Sequence, residues 1–268
     1  GSAISCATCH IPTLAFTDGK PTGEGFGEVD RNTPTVLNVA FHRWYGWDGG
    51  SDSLWMQNIR PIVSVLEMDG VSATRLAMEA DPGYSRFYVD LYGQAPGQAT
   101  NDELLVFTAK TIAAYLETLV TAPTSFDHFR KALLDGNEEA MAEYPLSAQR
   151  GLKIFSGGGR CSVCHFGPGF SNGEFAETGI PYFTSSGVDK GRFGGIEKVM
   201  ASPFNLLGRF NDSGGLGTQR KTRFLRQRHD SFGQFRVPGL RSVARTAPYM
   251  HNGSLQTLED VIEHYSHI

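Results

Sequence analysis

The sequence predicts a mainly α protein of two domains with long irregular loops, and three observations lead there. Helical periodicity recurs along the chain whereas strand-like alternation is rare. The 268 residues suit two domains of ordinary size, each able to bury a core. The 32 glycines cluster at Gly157–Gly159, Gly167–Gly173, Gly191–Gly195 and Gly208–Gly217, stretches that read as irregular backbone.

The elements follow in chain order. Ser53 to Arg60 reads as a short helix stopped by Pro61. Thr100-Asn101-Asp102-Glu103 is a capping box that opens an apolar-periodic helix through Leu104, Leu105, Phe107, Ile112, Leu116 and Leu119. Residues 121–145, from Ala122-Pro123 through a charged stretch to Pro145, read as the connection between a domain at 1–120 and another at 146–268. Ala148–Phe155 reads as a helix that leads through Gly157-Gly158-Gly159. The last helix starts at Thr257, with Asp260 three residues on, and runs through Tyr265.

Composition narrows the class. A net charge of −4 gives no global basic field for nucleic acid. Apolar residues make up 40%, with no 18-residue apolar run, so no membrane span is expected.

The four cysteines fall entirely within two pentapeptides, Cys6-Ala7-Thr8-Cys9-His10 and Cys161-Ser162-Val163-Cys164-His165. Cys-x-x-Cys-His is the attachment pattern of c-type haem: two thiols add to the porphyrin vinyls and the adjacent His ligates iron. A zinc site needs both halves gathered into one tetrahedron, and a thioredoxin-like pair leaves each following His unexplained. The 155 residues between His10 and His165 exceed one small cytochrome module. The two domains are therefore expected to be cytochrome-c-like haem domains. Covalent haem attachment places the chain in a bacterial periplasm or an equivalent compartment. No signal peptide precedes Cys6; the chain opens at Gly1-Ser2, which reads as a processed or trimmed start.

Further segments carry a resemblance: Arg31-Asn32-Thr33-Pro34-Thr35-Val36-Leu37-Asn38, Gly46-Trp47-Asp48-Gly49, Glu67-Met68, and Phe235–Tyr265 with its core Thr246-Ala247-Pro248-Tyr249-Met250-His251-Asn252-Gly253. With the two haem motifs, they make the chain resemble the bacterial di-haem cytochrome c peroxidase/MauG family over nearly its whole length. The resemblance implies two covalently bound haem c groups, a calcium ion between two helical domains, and reaction with hydrogen peroxide at the N-terminal haem. Two branches are open: peroxidases fed by a small electron-transfer protein, and MauG/MbnH-like enzymes that oxidise a partner protein.

The resemblance also assigns residues. His10 and His165 are the proximal ligands. No His occurs in Ile11–Arg31, where the peroxidases often place a sixth ligand, so the His10 iron is expected to be open to peroxide. The nearest spare imidazole, His42, reads as a surface or supporting residue. At the second haem the peroxidases use Met from the C-terminal helix and MauG-like members use Tyr. Leu258, Val261, Ile262 and Tyr265 share one helix face, so Tyr265 is expected to point inward, with His264 on the side of Asp260. Met250 reads as core packing. A phenolate stabilises ferric and higher states, whereas a thioether raises the potential. The competing reading is a buried tyrosine hydrogen-bonded elsewhere.

Trp47 matches a tryptophan between the haems, or is a packed core aromatic within Trp44-Tyr45-Gly46-Trp47 and Trp55. Glu67 matches a distal acid that shifts a proton between peroxide oxygens, or is an ion pair with Arg60 or Arg75. Gln57 matches a distal hydrogen-bonding position. The calcium ligands implied are the Asn32 side chain and the carbonyls of Thr246 and Pro248; alternatively Asn32 forms a turn and 246–248 a plain loop.

The pattern departs in two places. Gly159 stands where MauG carries a surface tryptophan for hole exit, and the three tryptophans lie between 44 and 55. Tyr182, Phe183 or Phe193 offer another exit. The helical segment that members carry before the first motif is missing, so more chain is expected. The preferred expectation is a periplasmic di-haem oxidoreductase that uses hydrogen peroxide, through a two-haem high-valent state, to oxidise a tryptophan or similar residue on a partner protein. The alternatives are a cytochrome c peroxidase and a di-haem electron carrier.

Overall fold

The computed structural model describes residues 4–184, 187–213 and 216–268; Gly1-Ser2 and, within the last glycine cluster, Gly214 and Gly215 lie outside the described residues. The chain is mainly helical, as expected. Its helices are α1 (Cys6–Cys9), α2 (Leu54–Val63), α3 (Val71–Ala80), α4 (Pro82–Tyr92), α5 (Asn101–Leu116), α6 (Ser125–Asp135), α7 (Glu138–Ala142), α8 (Leu146–Ser156), α9 (Arg192–Ala201), α10 (Leu216–Arg223) and α11 (Leu258–Ser266). Strand is confined to two small antiparallel pairs among the described residues: β1 (Phe175–Glu177) with β4 (Gln234–Arg236), and β2 (Phe183–Thr184) with β3 (Gly187–Val188).

α5 organises the N-terminal half. Thr100 accepts from Glu103 N while the Glu103 carboxylate returns to Thr100 N, the reciprocal cap that its sequence announces. Leu104 and Phe107 pack with Met78 of α3, Tyr88 of α4 and Ala99, whereas Val106 and Ala109 pack with Ile59 of α2. Each such fully buried large apolar side chain contributes about 1.5–3 kcal/mol. The helix ends at Leu116, so Leu119 falls beyond it, where its carbonyl accepts Asn38 N. α11 repeats the capping device with Thr257 and Asp260.

Two expectations are corrected. Pro61 does not stop α2, which continues to Val63: the ring sits in the last turn and forgoes one intrahelical bond, while Ser64 N still closes on Arg60 O and Ile62 is buried. The glycine-rich stretch 191–195 is not a loop but opens α9, because a Cβ on Gly195 would lie 1.9 Å from Asp48 O; a bare helical backbone is what that approach requires. Residues 121–145, read as the connection, carry secondary structure of their own. They hold α6 and α7, tied to the C-terminal half by a two-pronged Asp127–Arg241 pair at 2.7 and 2.9 Å and by Phe126 against Phe170.

Candidate functional site

Both Cys-x-x-Cys-His segments are built to one local plan. Each is a single helical turn in which the histidine amide bonds back to the first cysteine carbonyl, His10 N to Cys6 O at 2.8 Å and His165 N to Cys161 O at 2.9 Å. Each imidazole then anchors Nδ1 on a downstream carbonyl, His10 on Phe16 O at 3.0 Å and His165 on Phe170 O at 2.9 Å. Phe16 and Phe170 both adopt positive φ, 60° and 54°, which turns those carbonyls toward the rings. An Nδ1–H held by a carbonyl leaves Nε2 with the lone pair, the tautomer a metal needs. Burial holds the His10 pKa below its ordinary value and so keeps the ring neutral.

The four thiols are unpaired, Cys6 and Cys161 exposed, Cys9 and Cys164 half-buried. Burial, with the negative charge of Asp18, pushes the Cys9 thiol up, away from the reactive thiolates of redox pairs. Among the described residues no group of three or more His, Cys, Asp or Glu side chains is arranged to hold a metal ion. The donor set therefore fits a thioether-held haem at each motif.

Glu67 lies on the turn after α2, which is stitched to the segment following the first motif. Phe26 N donates to Glu67 O and Gly27 N to Leu66 O, while Cys9 Sγ reaches Glu24 O at 3.6 Å. Gly25 makes that approach possible, since a Cβ there would lie 2.4 Å from Glu67 O. The charge of Glu67 is felt by both Cys9 and His10. The alternative ion pairs are not formed: Arg60 approaches Asp48, and Arg75 pairs with Glu79. Gln57, one turn before Pro61 on α2, faces the Gly46–Asp48 turn, 3.5 Å from Arg60.

Trp47 bridges the two halves. Its indole donates to Asn32 O at 2.8 Å, on the segment after the first motif; its own carbonyl accepts Arg236 N at 2.8 Å from β4, which pairs with the strand that follows the second motif. Asn32 is buried, donates Nδ2 to Lys20 O and, through its amide, reaches His251 O at 2.8 Å. It is thereby docked on the 246–253 loop that carries Thr246 and Pro248. A cation there would rest on carbonyl and amide oxygens, a donor set that suits calcium.

Tyr265 lies at the end of α11, whose His264 reaches Thr178 O in the segment after the second motif; partial burial and the charge of Cys164 push its phenol pKa up. The expected inward face is only partly realised by protein packing. Tyr265 is 47% and Ile262 71% exposed, while Leu258 and Val261 are half-buried. His264, expected on the polar side, instead packs inward with Nε2 2.7 Å from Thr178 O. Met250 is half-buried in a left-handed turn at φ 71°. Tyr182, Phe183, Phe193 and Phe232 form a surface aromatic cluster. His42 is half-buried, in keeping with the supporting role; burial and the nearby Arg236 push its pKa down to about 3.

Sequence reasoning missed the charges beneath Trp47. Asp48 is fully buried among Arg31, Arg60 and Lys198, at 2.8, 3.7 and 2.7 Å. Burial alone would raise its pKa; the three cations outweigh it and hold the carboxyl below the usual range. Arg192 is also buried, sandwiched 4.1 Å from the rings of Trp44 and Phe175, and donates to Gly49 O at 2.8 Å. A lone Arg in a glycine-rich stretch has no sequence signal for this role.

Residues 1–135 match the family model described as di-haem cytochrome c peroxidase. The chain is 32% identical over 267 residues to the methylamine utilization protein MauG of Methylorubrum extorquens, covering 98% of this chain and 63% of the relative. It is likewise 32% identical to cytochrome c551 peroxidase of Pseudomonas aeruginosa, covering 97% and 65%. A crystal structure of a MauG-like protein associated with microbial copper homeostasis matches with a TM-score of 0.63 at 26% identity, covering 97% of this chain and 69% of that one. The diheme peroxidase BthA from Burkholderia thailandensis shares the fold, with a TM-score of 0.72 at 19% identity over 97% of this chain and 66% of that one. The chain thus spans about two thirds of the length of these proteins. On the family match and the paired haem motifs, the chain belongs to the di-haem cytochrome c peroxidase family.

Proposed function

We propose that the chain is the di-haem part of a periplasmic MauG/MbnH-like oxidoreductase that uses hydrogen peroxide to oxidise a residue, a tryptophan in the first instance, on a partner protein. The observation that carries this reading is Tyr265 on α11, the helix that His264 ties at 2.7 Å to Thr178 O in the segment after the second motif, which offers a hard oxygen donor where a peroxidase carries a methionine. Residues 1–120 form the peroxide-reactive unit and 146–268 the second haem unit, with α6 and α7 docked on the latter. No helix among the described residues is long and apolar enough to cross a membrane.

His10 and His165 would hold the two irons, with Cys6, Cys9, Cys161 and Cys164 as the covalent anchors. The haems, when bound, supply peroxide activation and storage of the oxidising equivalents. Glu67 holds the proton that peroxide cleavage needs, in a turn with half-buried Met68 beside it. Gln57 orients polar groups near it. Trp47 couples the two halves, and a calcium ion on Asn32, Thr246 and Pro248 would rigidify the same junction.

The second reading is a peroxidase that draws electrons from a small cytochrome. Gly159 in place of a surface tryptophan and the relative named cytochrome c551 peroxidase favour it. Peroxide added to the diferric holoprotein decides. A long-lived species with near-infrared charge-resonance absorption is expected; turnover that requires reduced cytochrome assigns the second reading, and no reaction with peroxide overturns both.

A further inference from the structure

Residues 220–228 read Arg-Lys-Thr-Arg-Phe-Leu-Arg-Gln-Arg: five cations and no acid in nine residues of a chain with net charge −4, so the remainder carries −9. The segment comprises the end of α10 and the turn after it. Two consecutive side chains tie it down. Thr222, fully buried, donates to Asp52 Oδ2 at 2.7 Å; Lys221 donates to Arg43 O at 2.6 Å and sits 5.3 Å from the centre of the Trp44 ring. At 100° per residue, anchoring 221 and 222 turns 220 and 223 to the opposite side of the helix, and both are exposed.

Among the described residues their charge is not absorbed locally. Arg223 donates to the Gln219 amide and Arg226 to Leu225 O, both neutral acceptors. Arg43 is matched by Glu174 at 2.7 Å and Arg228 by Asp230 at 2.8 Å. Arg220, Arg223 and Arg226 therefore surround Phe224, 66% exposed, with uncompensated charge. Like charges three residues apart on a helix are mildly destabilising, so folding gains nothing from them. Arg43, Arg220 and Lys221 also line two adjoining surface clefts of about 510 and 540 Å³, of which they form the dividing ridge. Beneath the ridge lies Trp44, 3% exposed and three residues from Trp47.

We propose that this ridge is the docking surface for an acidic face of a small electron-transfer protein with which the chain exchanges electrons, an inference that rests on the exchange of electrons with a protein partner that both readings above share. A basic patch on an otherwise acidic molecule steers an acidic partner and orients it, while repulsion from the remaining surface suppresses other approaches. Phe224 supplies the apolar centre that such interfaces need. Exposed Glu117 in the first cleft interrupts the positive field that a continuous phosphate backbone or lipid surface needs, whereas a protein face can set its acids against the arginines alone. Docked there, a partner stands over Trp44 and hence at the near end of the segment that carries Trp47.

The test is calorimetric titration of the diferric holoprotein with an acidic monohaem cytochrome c, with a basic mitochondrial-type cytochrome c as control. Binding of the acidic probe at low salt is expected, weakening as salt is added, with no binding of the basic one. The double variant Arg220→Glu/Arg223→Glu is expected to weaken it at least about 10-fold, and Arg220→Lys/Arg223→Lys to retain most of it. No binding of the acidic probe, equal binding by the Glu variant, a preference for the basic cytochrome, or tighter binding to phosphatidylglycerol vesicles each overturns the assignment. The reaction of wild-type holoprotein with peroxide alone is followed separately. Docking without peroxide reaction leaves the surface standing and removes the function proposed above; peroxide reaction without docking does the reverse.

Discussion

Trp47 donates its indole N–H to Asn32 O at 2.8 Å, so one hydrogen bond fixes the ring of the bridging tryptophan to the segment that follows the first motif. Trp47→Phe removes that donor and leaves a part-buried carbonyl unsatisfied, at a cost of about 1–2 kcal/mol in chemical unfolding. It also removes the most oxidisable ring between the halves. The near-infrared band of the peroxide-treated holoprotein is expected to weaken or vanish; an undiminished band would take Trp47 out of the coupling.

Glu67 forms no ion pair with Arg60 or Arg75, each of which is engaged elsewhere. Glu67→Gln should therefore change folding stability by less than about 0.5 kcal/mol. Its effect is expected in stopped-flow mixing with peroxide, as a loss of about 10²-fold in rate. A wild-type rate excludes the carboxyl from proton transfer.

Tyr265 sits at the end of α11, which His264 ties to Thr178 O after the second motif. Tyr265→Met replaces a hard oxygen donor with a thioether, so the potential of the second haem is expected to rise, with the spectrum of His/Met coordination. Spectroelectrochemistry of the variant checks this, and an unchanged potential and spectrum sink the assignment.

Asp48 is fully buried against three cations; Asp48→Asn removes one partner from Arg31, which keeps its two bonds to Asp189, and the carboxylate from half-exposed Lys198. A loss of about 1.5–3 kcal/mol is expected in denaturant titration. The folded carboxyl titrates below its unfolded value. Its stabilisation is thus present above the ordinary carboxylate pKa and lost as pH falls below it. The variant should lack that part of the acid limb.

His42 carries the opposite charge logic with the same sign in pH. Burial and Arg236 lower its pKa from 6.5 to about 3, so between those values the unfolded chain binds a proton that the folded chain does not. Stability is expected to fall as pH drops through that window, by at most about 1.4 kcal/mol per pH unit from this group. His42→Gln should flatten the slope; an identical pH dependence of Tm would refute the buried neutral imidazole.

The parts legible in the sequence are those whose causes lie within a few residues. The capping pairs Thr100–Glu103 and Thr257–Asp260 set the starts of α5 and α11 because both partners belong to one turn. α3 and α4 each bury a single side chain, Met78 and Tyr88, too few to print an apolar stripe in the sequence. Gly195 reads as loop because its requirement, the approach of Asp48 O, comes from 147 positions away.

By itself the sequence determined the cofactor chemistry. Two thiols and an imidazole in five residues form an attachment site whatever the rest of the chain does, and a His five or six residues before a turned carbonyl fixes its own tautomer. Tertiary structure alone decided what joins the two motifs: Asn32 under Trp47, Arg236 on its carbonyl, Asp48 held by Arg31, Arg60 and Lys198, and Arg192 between Trp44 and Phe175. These partners come from distant segments. A lone charged or aromatic residue reads as solvated or as core until folding closes the loop that brings its counterpart within bonding distance.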